Sequence, residues 1–541
     1  MLTGAPLDAR VRSIDPLRAA DYRARGLWRG ETIAAFVRAG RLLDPTRVAV
    51  VDGDRRVTHG ELDDLVARTA VRLRELGVRS ADPVGVQLPN CLEYVVLVLA
   101  LIELGAPPVL ILPTFGEREL DHVLTTAEPV ALAVSGGRRG SLTAARALRT
   151  RHPRLRLLIA PGADLADEVD LVGLCGPGAG PRPEVPASTA TPLDAAVFLL
   201  SSGTTGPPKV IARVHEGYEY MIRTALGLAC VTASSVVLAV MPVEHGFVFN
   251  CPGVLGTLAV GGRVVLGSPV DPHQALRLIE QEGVTHSVLV PTLALQWMNA
   301  ARERSYDLSS LRVVQVGGAR LDPEPARRMR DELGVFPQQC YGMSEGLLNY
   351  TRPDDPREVA EGSQGRPASP DDEVLIVDEN GVPVPTGVQG ELLTRGPYTA
   401  AGYYRDDAAT AAAFTDDGFY RTGDLVSADA QGNLTVHGRV RDAINRAGEK
   451  IAPGEVESLL AQHPSLRHAV VVAAPHELYG EIVCLFAVAE DGFDLVEARR
   501  FLAAEGLARY KLPERLELVE ALPMIGIGKI DRAALRAEAA R

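Results

Sequence analysis

Apolar and polar positions along the chain repeat in the order strand, capping residue, amphipathic helix. The apolar run RVAVVDG precedes Thr58 and Glu61, whose spacing predicts a capping box and the start of a helix. The strand PVGVQLP, a helix from Asn90, the strand PVLILP and a second box at Thr114 and Glu117 follow. This repeated order predicts an α/β fold in which parallel sheets are covered by helices.

The alternation continues with VVLAVMP, SVLVPTL and LRVVQVGG, and near residue 373 it changes to β-rich segments with hairpin turns such as Asn380-Gly381. Beyond Arg439 the pattern becomes that of a small α+β segment. We therefore expect a large N-terminal domain, residues 1–440, with parallel or mixed sheets and a β-rich subdomain. A small, mobile α+β C-terminal domain, residues 441–541, is expected to follow it.

One long apolar run, at 94–113, could suggest a membrane span. It is broken by Glu103 and by Pro107-Pro108, so it predicts a buried helix followed by a strand. The N-terminal segment mixes Asp with Arg and has no apolar centre, which is not the pattern of a signal peptide. The chain is therefore expected to work without a membrane.

Composition narrows the class further. The chain has 541 residues, of which 46% are hydrophobic and 23% charged, as in globular proteins. Its net charge of -13 disfavours a non-specific grip on nucleic acid. The 6 cysteines form no CxxC pair, so neither a zinc site nor a disulfide framework is indicated. A reducing, cytoplasmic setting fits this composition best.

The segment LLSSGTTGPPK carries the ingredients of a phosphate-binding loop, although its spacing is not that of a Walker loop. Two prolines before Lys209 prevent a helix from starting directly behind the glycines. A loop after the strand AAVFLL is therefore predicted, either an ordinary polar loop or a cradle for the outer phosphates of ATP. The hydroxyl groups of the cradle would come from Ser201, Ser202, Thr204 and Thr205.

Lysine is rare in this chain. Of the 56 basic residues only Lys209, Lys450, Lys511 and Lys529 are lysines. A position that keeps lysine can need a compact point charge on a slim stem, which arginine does not supply. Chance explains one or two of the four, but Lys209 and Lys529 both lie beside glycine-rich loops that a phosphate could approach.

Five segments in order resemble the core motifs of the adenylate-forming superfamily, which includes acyl-CoA ligases and peptide-synthetase adenylation domains. These segments are SSGTTGPPK, QQCYGMSEG, GFYRTGDL, GRVRDAINRAGEKI and PMIGIGKIDR. The resemblance implies that ATP and Mg²⁺ activate a carboxylate as an acyl adenylate, with release of pyrophosphate. It implies ATP- and AMP-binding roles for Ser201, Ser202, Gly203, Thr204, Thr205, Gly206, Lys209, Gly317, Tyr341, Gly342, Met343, Asp424 and Arg439.

Particular roles follow from the resemblance and agree with the chemistry of the side chains. Glu345 is the candidate Mg²⁺ ligand, since hard cations take carboxylate oxygen, and the alternative is a solvated acid. Tyr341 would stack on adenine. Asp424 would accept hydrogen bonds from the ribose, and Arg439 would reach the same sugar. The alternatives are a turn residue for Asp424 and a surface ion pair for Arg439.

The C-terminal segment supplies the residue expected to act in the chemical step. The ammonium of Lys529, on the GIGK loop, could lie between the attacking carboxylate and the α-phosphate, with catalytic support from Lys209 and Glu345. The alternative is a solvent-exposed lysine without a role. By resemblance Arg441 is a hinge about which the lobe rotates, exchanging this loop for the thiolation loop with Gly448 and Lys450.

The segment MPVEHGFVFNCPGVLG looks closest to stand-alone aryl acid AMP ligases of the 2,3-dihydroxybenzoate and salicylate type. By that resemblance His245, Gly246, Cys251 and Leu348 border the aryl-acid pocket. The family commonly has an asparagine where this chain has Gly246, so the contact to an ortho hydroxyl is missing and room is gained. We therefore expect a larger, bicyclic or differently substituted aryl acid, and a packing role for His245.

Three functions remain open at this stage. The aryl group could pass to a phosphopantetheine thiol on a separate carrier protein, in a nonribosomal peptide or polyketide type of pathway. It could instead pass to free coenzyme A. The third alternative is a non-catalytic nucleotide-binding protein, which the intact motif residues disfavour. The oligomeric state is expected to be monomer or homodimer.

Overall fold

The computed structural model describes residues 14–136, 141–163, 168–185, 187–201, 207–268, 271–446, 449–490, 492–525 and 529–541. The helices in these residues are α1 (Pro16–Ala24), α2 (Ile33–Arg41), α3 (His59–Glu75), α4 (Leu92–Leu104), α5 (Glu117–Ala127), α6 (Ser141–Arg149), α7 (Leu171–Cys175), α8 (His215–Leu228), α9 (Gly246–Asn250), α10 (Gly253–Ala259), α11 (Pro272–Glu282), α12 (Pro291–Glu303), α13 (Pro323–Leu333), α14 (Arg357–Gly362), α15 (Asp407–Ala413), α16 (Pro453–Leu460), α17 (Leu495–Ala504) and α18 (Arg532–Ala539).

The strands in the same residues are β1 (Val48–Asp52), β2 (Arg55–Thr58), β3 (Val84–Gln87), β4 (Pro108–Leu110), β5 (Ala131–Val134), β6 (Leu157–Ala160), β7 (Glu168–Asp170), β8 (Ala195–Leu200), β9 (Val210–Val214), β10 (Val236–Ala239), β11 (Arg263–Leu266), β12 (His286–Leu289), β13 (Val313–Gly317), β14 (Phe336–Gly342), β15 (Leu348–Tyr350), β16 (Arg366–Pro367), β17 (Glu373–Val377), β18 (Gly390–Arg395), β19 (Tyr420–Ala428), β20 (Leu434–Arg439), β21 (Ile444–Arg446), β22 (Glu449–Ile451), β23 (Leu466–His476), β24 (Gly480–Ala489), β25 (Arg515–Leu518), β26 (Met524–Ile525) and β27 (Lys529–Ile530).

Two large sheets form the N-terminal part, and both are mainly parallel as the sequence predicts. One has the order β7-β6-β5-β3-β4-β8-β9, and β9 is antiparallel to β8. The other has the order β16-β15-β14-β13-β12-β10-β11-β1-β2, with antiparallel strands at both edges. The α/β prediction is confirmed.

The apolar run at 94–113 behaves as its composition requires. Helix α4 has almost every side chain buried, because it lies in the main hydrophobic core against α2 and α3. Gly105 ends it in the left-handed conformation, with φ 74°, and β4 follows. Among the described residues, no helix is both long enough and apolar enough to cross a bilayer.

Of the two predicted capping boxes, one is confirmed and one is wrong. Thr58 caps α3, with its hydroxyl accepting from the Glu61 amide and the Glu61 carboxylate accepting from the Thr58 amide. Helix α5 instead begins after Gly116, whose amide donates to Glu119 at 3.0 Å. Thr114 lies too far before this start to cap it, so the second box is displaced.

The β-rich subdomain and the C-terminal α+β unit follow in that order. Strands β17-β18-β19-β20 form an antiparallel sheet, and a separate sheet has the order β22-β21-β24-β23 with β25 parallel to β24. Val440–Asp442, which contains Arg441, is a single helical turn between the two sheets. Helix α16 packs against β20, and the Ser458 hydroxyl donates to Asp322 across the boundary at 3.1 Å.

Candidate active site

A cavity of about 1390 Å³ opens where strands of the large sheets, the β-rich subdomain and the C-terminal unit meet. In open α/β sheets, ligands bind beyond the carboxyl ends of the strands, and several cavity residues lie at such ends. Leu200 ends β8, Tyr341 lies at the end of β14, and Gly318 directly follows β13. The C-terminal unit contributes Lys529 and Arg532.

Three predicted nucleotide-binding residues form one connected group in this cavity. Asp424 and Arg439 face each other across β19 and β20, and the Arg439 Nε lies 2.7 Å from the Asp424 Oδ1. The Tyr341 hydroxyl donates to the other carboxylate oxygen at 2.5 Å. Burial raises the pKa of Asp424, whereas Arg439 and the tyrosine hydrogen bond act in the opposite direction.

Glu345 lies in the turn between β14 and β15 and is only 6% exposed. Its Oε1 accepts from the Tyr403 hydroxyl at 2.9 Å, and its backbone carbonyl accepts from Ala400 at 2.6 Å. The ammonium of Lys209 lies 4.5 Å from the centre of the Tyr403 ring, a cation–π contact. Lys209 and Glu345 thus both contact Tyr403, one at its ring and the other at its hydroxyl.

Lys209 also closes the base of the glycine-rich loop. Its backbone amide donates to the Ser201 hydroxyl at 2.9 Å, and the Ser201 amide donates to the Lys209 carbonyl at 3.0 Å. The loop therefore leaves β8 and returns to β9 at a hydrogen-bonded pair. The loop residues Ser202, Gly203, Thr204, Thr205 and Gly206 lie outside the described residues.

Lys529 begins β27 and reaches into the cavity beside Gly318. A Cβ on Gly318 would lie 3.9 Å from the Lys529 Cε, and Gly318 has a φ of +77°. Burial lowers the pKa of Lys529, Arg439 lowers it further, and Asp424 acts in the opposite direction. The structure therefore places Lys529 near the connected side chains of Tyr341, Asp424 and Arg439.

The other end of the cavity contains the predicted aryl-acid residues. His245 caps α9, with its Nδ1 accepting from the Phe247 amide at 3.2 Å. Burial, assisted by the Lys529 charge, lowers the pKa of His245 to about 4, so the ring is neutral near pH 7. Cys251 and Leu348 are each 4% exposed and line the same cavity.

Two details of this end concern its polarity. A Cβ placed on Gly246 would lie 3.3 Å from the Asn250 Oδ1, a tight contact, and 3.5 Å from the Leu199 Cδ1, so Asn250 and Leu199 border this position closely. Burial raises the pKa of the Cys251 thiol to about 12, which keeps it protonated and unreactive. The wall formed by Cys251 is therefore neutral.

Some residues of the site carry no signal in the motifs. Arg213, 3% exposed in β9, donates to the carbonyls of Ser344 and of Tyr398 and so ties two cavity loops to the sheet. Burial lowers its pKa, because the guanidinium is removed from water. Tyr403 and Asn250 complete the set. The segment RVHEGYEY contains Arg213, but its role depends on partners distant in sequence.

The remaining predicted residues have simpler surroundings. Gly317 packs against the Phe247 ring and the Cys340 carbonyl, and its neighbour Gly318 lines the cavity. Gly342 and Met343 line the cavity beside Tyr341. The predicted hinge residue Arg441 has its Nε 3.6 Å from the Asp442 carboxylate. In the predicted thiolation loop, Lys450 belongs to β22 and Gly448 lies outside the described residues. Lys511 forms an ion pair with Glu455 at 2.7 Å.

The fold and the site define a nucleotide-binding ligase with a large α/β part and a small C-terminal unit that delivers a lysine. Two family descriptions match the chain: AMP-binding enzyme over residues 42–404, and AMP-binding enzyme C-terminal domain over residues 455–529. The chain belongs to the AMP-binding enzyme family and is an adenylate-forming ligase.

Individual relatives cover almost the whole chain. The 2-hydroxy-7-methoxy-5-methyl-1-naphthoate–CoA ligase of Streptomyces carzinostaticus is 44% identical, over 97% of this chain and 96% of that protein. The 2,3-dihydroxybenzoate-AMP ligase of Bacillus subtilis is 41% identical, over 96% of this chain and 95% of its own length. The apo structure of Mycobacterium smegmatis MbtA has 40% identity and a TM-score of 0.75, covering 98% and 99% of the two chains.

Proposed function

We propose that this chain uses ATP to convert an aromatic carboxylic acid into an aryl adenylate, with release of pyrophosphate. The observation that supports this most directly is the continuity of one cavity. It joins the group of Tyr341, Asp424 and Arg439 to the pocket of His245 and Cys251. The names of the two relatives described above, a naphthoate ligase and a dihydroxybenzoate ligase, support an aromatic acid.

In this proposal Lys529 is the catalytic cation. Its ammonium lines the cavity, close enough to Arg439 and Asp424 for their charges to shift its pKa and close enough to His245 to lower the pKa of that ring. A positive group placed there before the reaction would stabilise the charge that develops between carboxylate and α-phosphate. No general base is needed, because carboxylic acids are already ionised near pH 7. His245 keeps a packing role at the pocket entrance.

Mg²⁺ is proposed as the metal that accompanies ATP. The buried carboxylate of Glu345, which accepts from the Tyr403 hydroxyl through Oε1, suits a hard cation. Within the described part of the chain, no group of three or more His, Cys, Asp or Glu side chains could hold a metal alone. Glu345 would therefore share the ion with phosphate oxygens, which is how Mg²⁺ binds in many ATP sites. When bound, Mg²⁺ would neutralise phosphate charge.

For the second step we propose transfer of the aryl group to a phosphopantetheine thiol on a carrier protein. Arg441, in the turn between the two parts of the molecule, is the proposed hinge, and the loop with Gly448 and Lys450 is the proposed thiolation loop. Free coenzyme A is the second candidate acceptor, which the name of the Streptomyces relative favours.

The acid is proposed to be larger than salicylate. Gly246 has no side chain, so the cavity beside Leu199 and Asn250 is wider there than it would be with any other residue. A bicyclic aryl or heteroaryl acid would fill that space, and the naphthoate named for one relative has this shape. Contact with the apolar walls formed by Cys251 and Leu348 would then replace the missing polar contact.

The test is carboxylate-dependent ATP–pyrophosphate exchange with benzoic, picolinic, quinaldic and naphthoic acids. Wild type should exchange with one ring class, and Lys529→Ala should lower the rate by about 100-fold or more. Lys511→Ala is the matched control, because that lysine pairs with Glu455, neither side chain lines the cavity, and its loss should leave exchange unchanged. ATP binding without exchange for any acid would favour a non-catalytic protein. Thioester formation with carrier protein or coenzyme A then identifies the acceptor.

A further inference from the structure

Asn250 lies at the acid end of the cavity without an assigned role. It ends α9, one helical turn after Gly246, so the two positions share a face of the helix. Its side chain is buried, at 2% exposure, and lines the cavity. A buried amide is held in place by its hydrogen bonds, which makes its partners informative.

Those partners are unequal. The Asn250 Oδ1 accepts a hydrogen bond from the Tyr218 hydroxyl at 2.6 Å. Its Nδ2 has two sulfur partners, the Cys251 Sγ at 3.3 Å and the Met221 Sδ at 3.8 Å. Sulfur is a weak acceptor, so the two N–H groups keep much of their capacity to donate. Tyr218 therefore orients an amide whose donors are poorly used.

The position of this amide matches the gap left by Gly246. A Cβ at residue 246 would lie 3.3 Å from the Asn250 Oδ1, so the amide borders the space that a residue-246 side chain would fill. Two other polar groups of this region are already engaged. The Arg213 guanidinium donates to backbone carbonyls, and the His245 Nδ1 accepts from the Phe247 amide.

We propose that Asn250 is a specificity-determining residue that hydrogen-bonds a polar atom on the ring system of the acid. The atom is an acceptor next to the carboxylate, either a hydroxyl oxygen or a ring nitrogen. Tyr218 is the positioning residue that holds the amide. This inference rests on the proposed aryl-acid ligase function. In it, the polar atom of the acid is bound by residue 250 instead of residue 246.

Matched pairs of acids provide the test. Quinaldate and 2-naphthoate differ by one ring nitrogen, and 3-hydroxy-2-naphthoate adds a hydroxyl to the same frame. Wild type should favour at least one polar acid over 2-naphthoate by about 10-fold in kcat/KM for pyrophosphate exchange. Asn250→Leu and Asn250→Ala should reduce this ratio to about 1, because they remove the donors. Tyr218→Phe should reduce it only in part.

The ratio separates recognition from general damage, since loss of packing lowers the rates with all acids together. An unchanged ratio in both Asn250 variants, or a wild-type ratio near 1, would overturn the inference while leaving the proposed function standing. The Lys529→Ala control distinguishes a failure of the inference about Asn250 from a failure of the proposed function. If wild type supports no Lys529-dependent exchange with any aryl acid, the proposed function and this inference fall together. ATP affinity, measured by calorimetry, confirms that each variant is folded.

Discussion

Gly246→Asn should convert the pocket towards smaller acids that carry an ortho hydroxyl. The backbone at Gly246 is helical and not left-handed, so a side chain brings no backbone strain. Its Cβ would lie 3.5 Å from the Leu199 Cδ1, an ordinary contact, and 3.3 Å from the Asn250 Oδ1, which must move by a few tenths of an ångström.

The magnitude follows from these contacts. A new hydrogen bond to the ortho hydroxyl contributes about 1 to 3 kcal/mol, and crowding of Asn250 costs about 1 kcal/mol. The net gain is therefore at most about 2 kcal/mol, which corresponds to an increase in kcat/KM for salicylate of up to about 30-fold. Bicyclic acids should lose activity, because the added side chain occupies the space between Leu199 and Asn250.

The assay is pyrophosphate exchange with salicylate, benzoate and a naphthoate under identical ATP concentrations. Gly246→Ala is the control, since it adds the Cβ without an amide and should depress naphthoate without raising salicylate. The reasoning is refuted if Gly246→Asn and Gly246→Ala have the same salicylate-to-benzoate ratio. It is also refuted if naphthoate is activated equally well by both variants and wild type.

Three further outcomes are expected. Burial raises the pKa of Glu244 well above its usual range, so the folded protein holds this carboxyl protonated. The contribution of Glu244 to stability is therefore complete at low pH and is lost as pH rises towards the raised pKa. Between pH 5 and 8 the free energy of unfolding of Glu244→Gln should therefore fall less steeply than that of wild type, with a difference of at most about 1.4 kcal/mol per pH unit. Urea titrations at several pH values measure this, and the same pH dependence in both proteins would contradict it. Asp424→Asn should weaken ATP binding by about 10-fold in calorimetry, with unchanged circular dichroism. Arg213→Met should lower the free energy of unfolding by about 2 kcal/mol in urea titrations, since two carbonyls lose a charged donor, and an equal or higher midpoint would refute it.

The parts of the fold that depend on local sequence could be predicted. The capping box at Thr58 and Glu61 is local, and the alternation of apolar strands with helices follows from burial on sheets. The prediction of a box at Thr114 is wrong because Gly116 precedes the helix instead, and its amide donates to the Glu119 carboxylate. Local spacing misses this start, because glycine has no hydroxyl and only the carboxylate half of a capping box is formed.

Site residues with partners close in sequence or inside a motif were also predictable, and Asp424 and Lys529 are examples. Arg213 and Tyr403 were missed for a common physical reason. Arg213 contacts Ser344 and Tyr398, and Tyr403 contacts Glu345, so each function exists only after distant segments have packed together. No periodicity or spacing records such contacts.

The scarcity of lysine gains a physical explanation at Lys529. Its Cε passes close to Gly318, where a Cβ would be in van der Waals contact with it at 3.9 Å, and its ammonium is near Arg439 and Asp424. The planar guanidinium of arginine is wider and has five donors to satisfy, so it does not replace a compact ammonium at this position. Burying an ammonium beside Arg439 is unfavourable by itself, as the lowered pKa of Lys529 indicates. A bound polyanion would offset that cost, which links nucleotide binding to the docking of the C-terminal unit that carries the lysine.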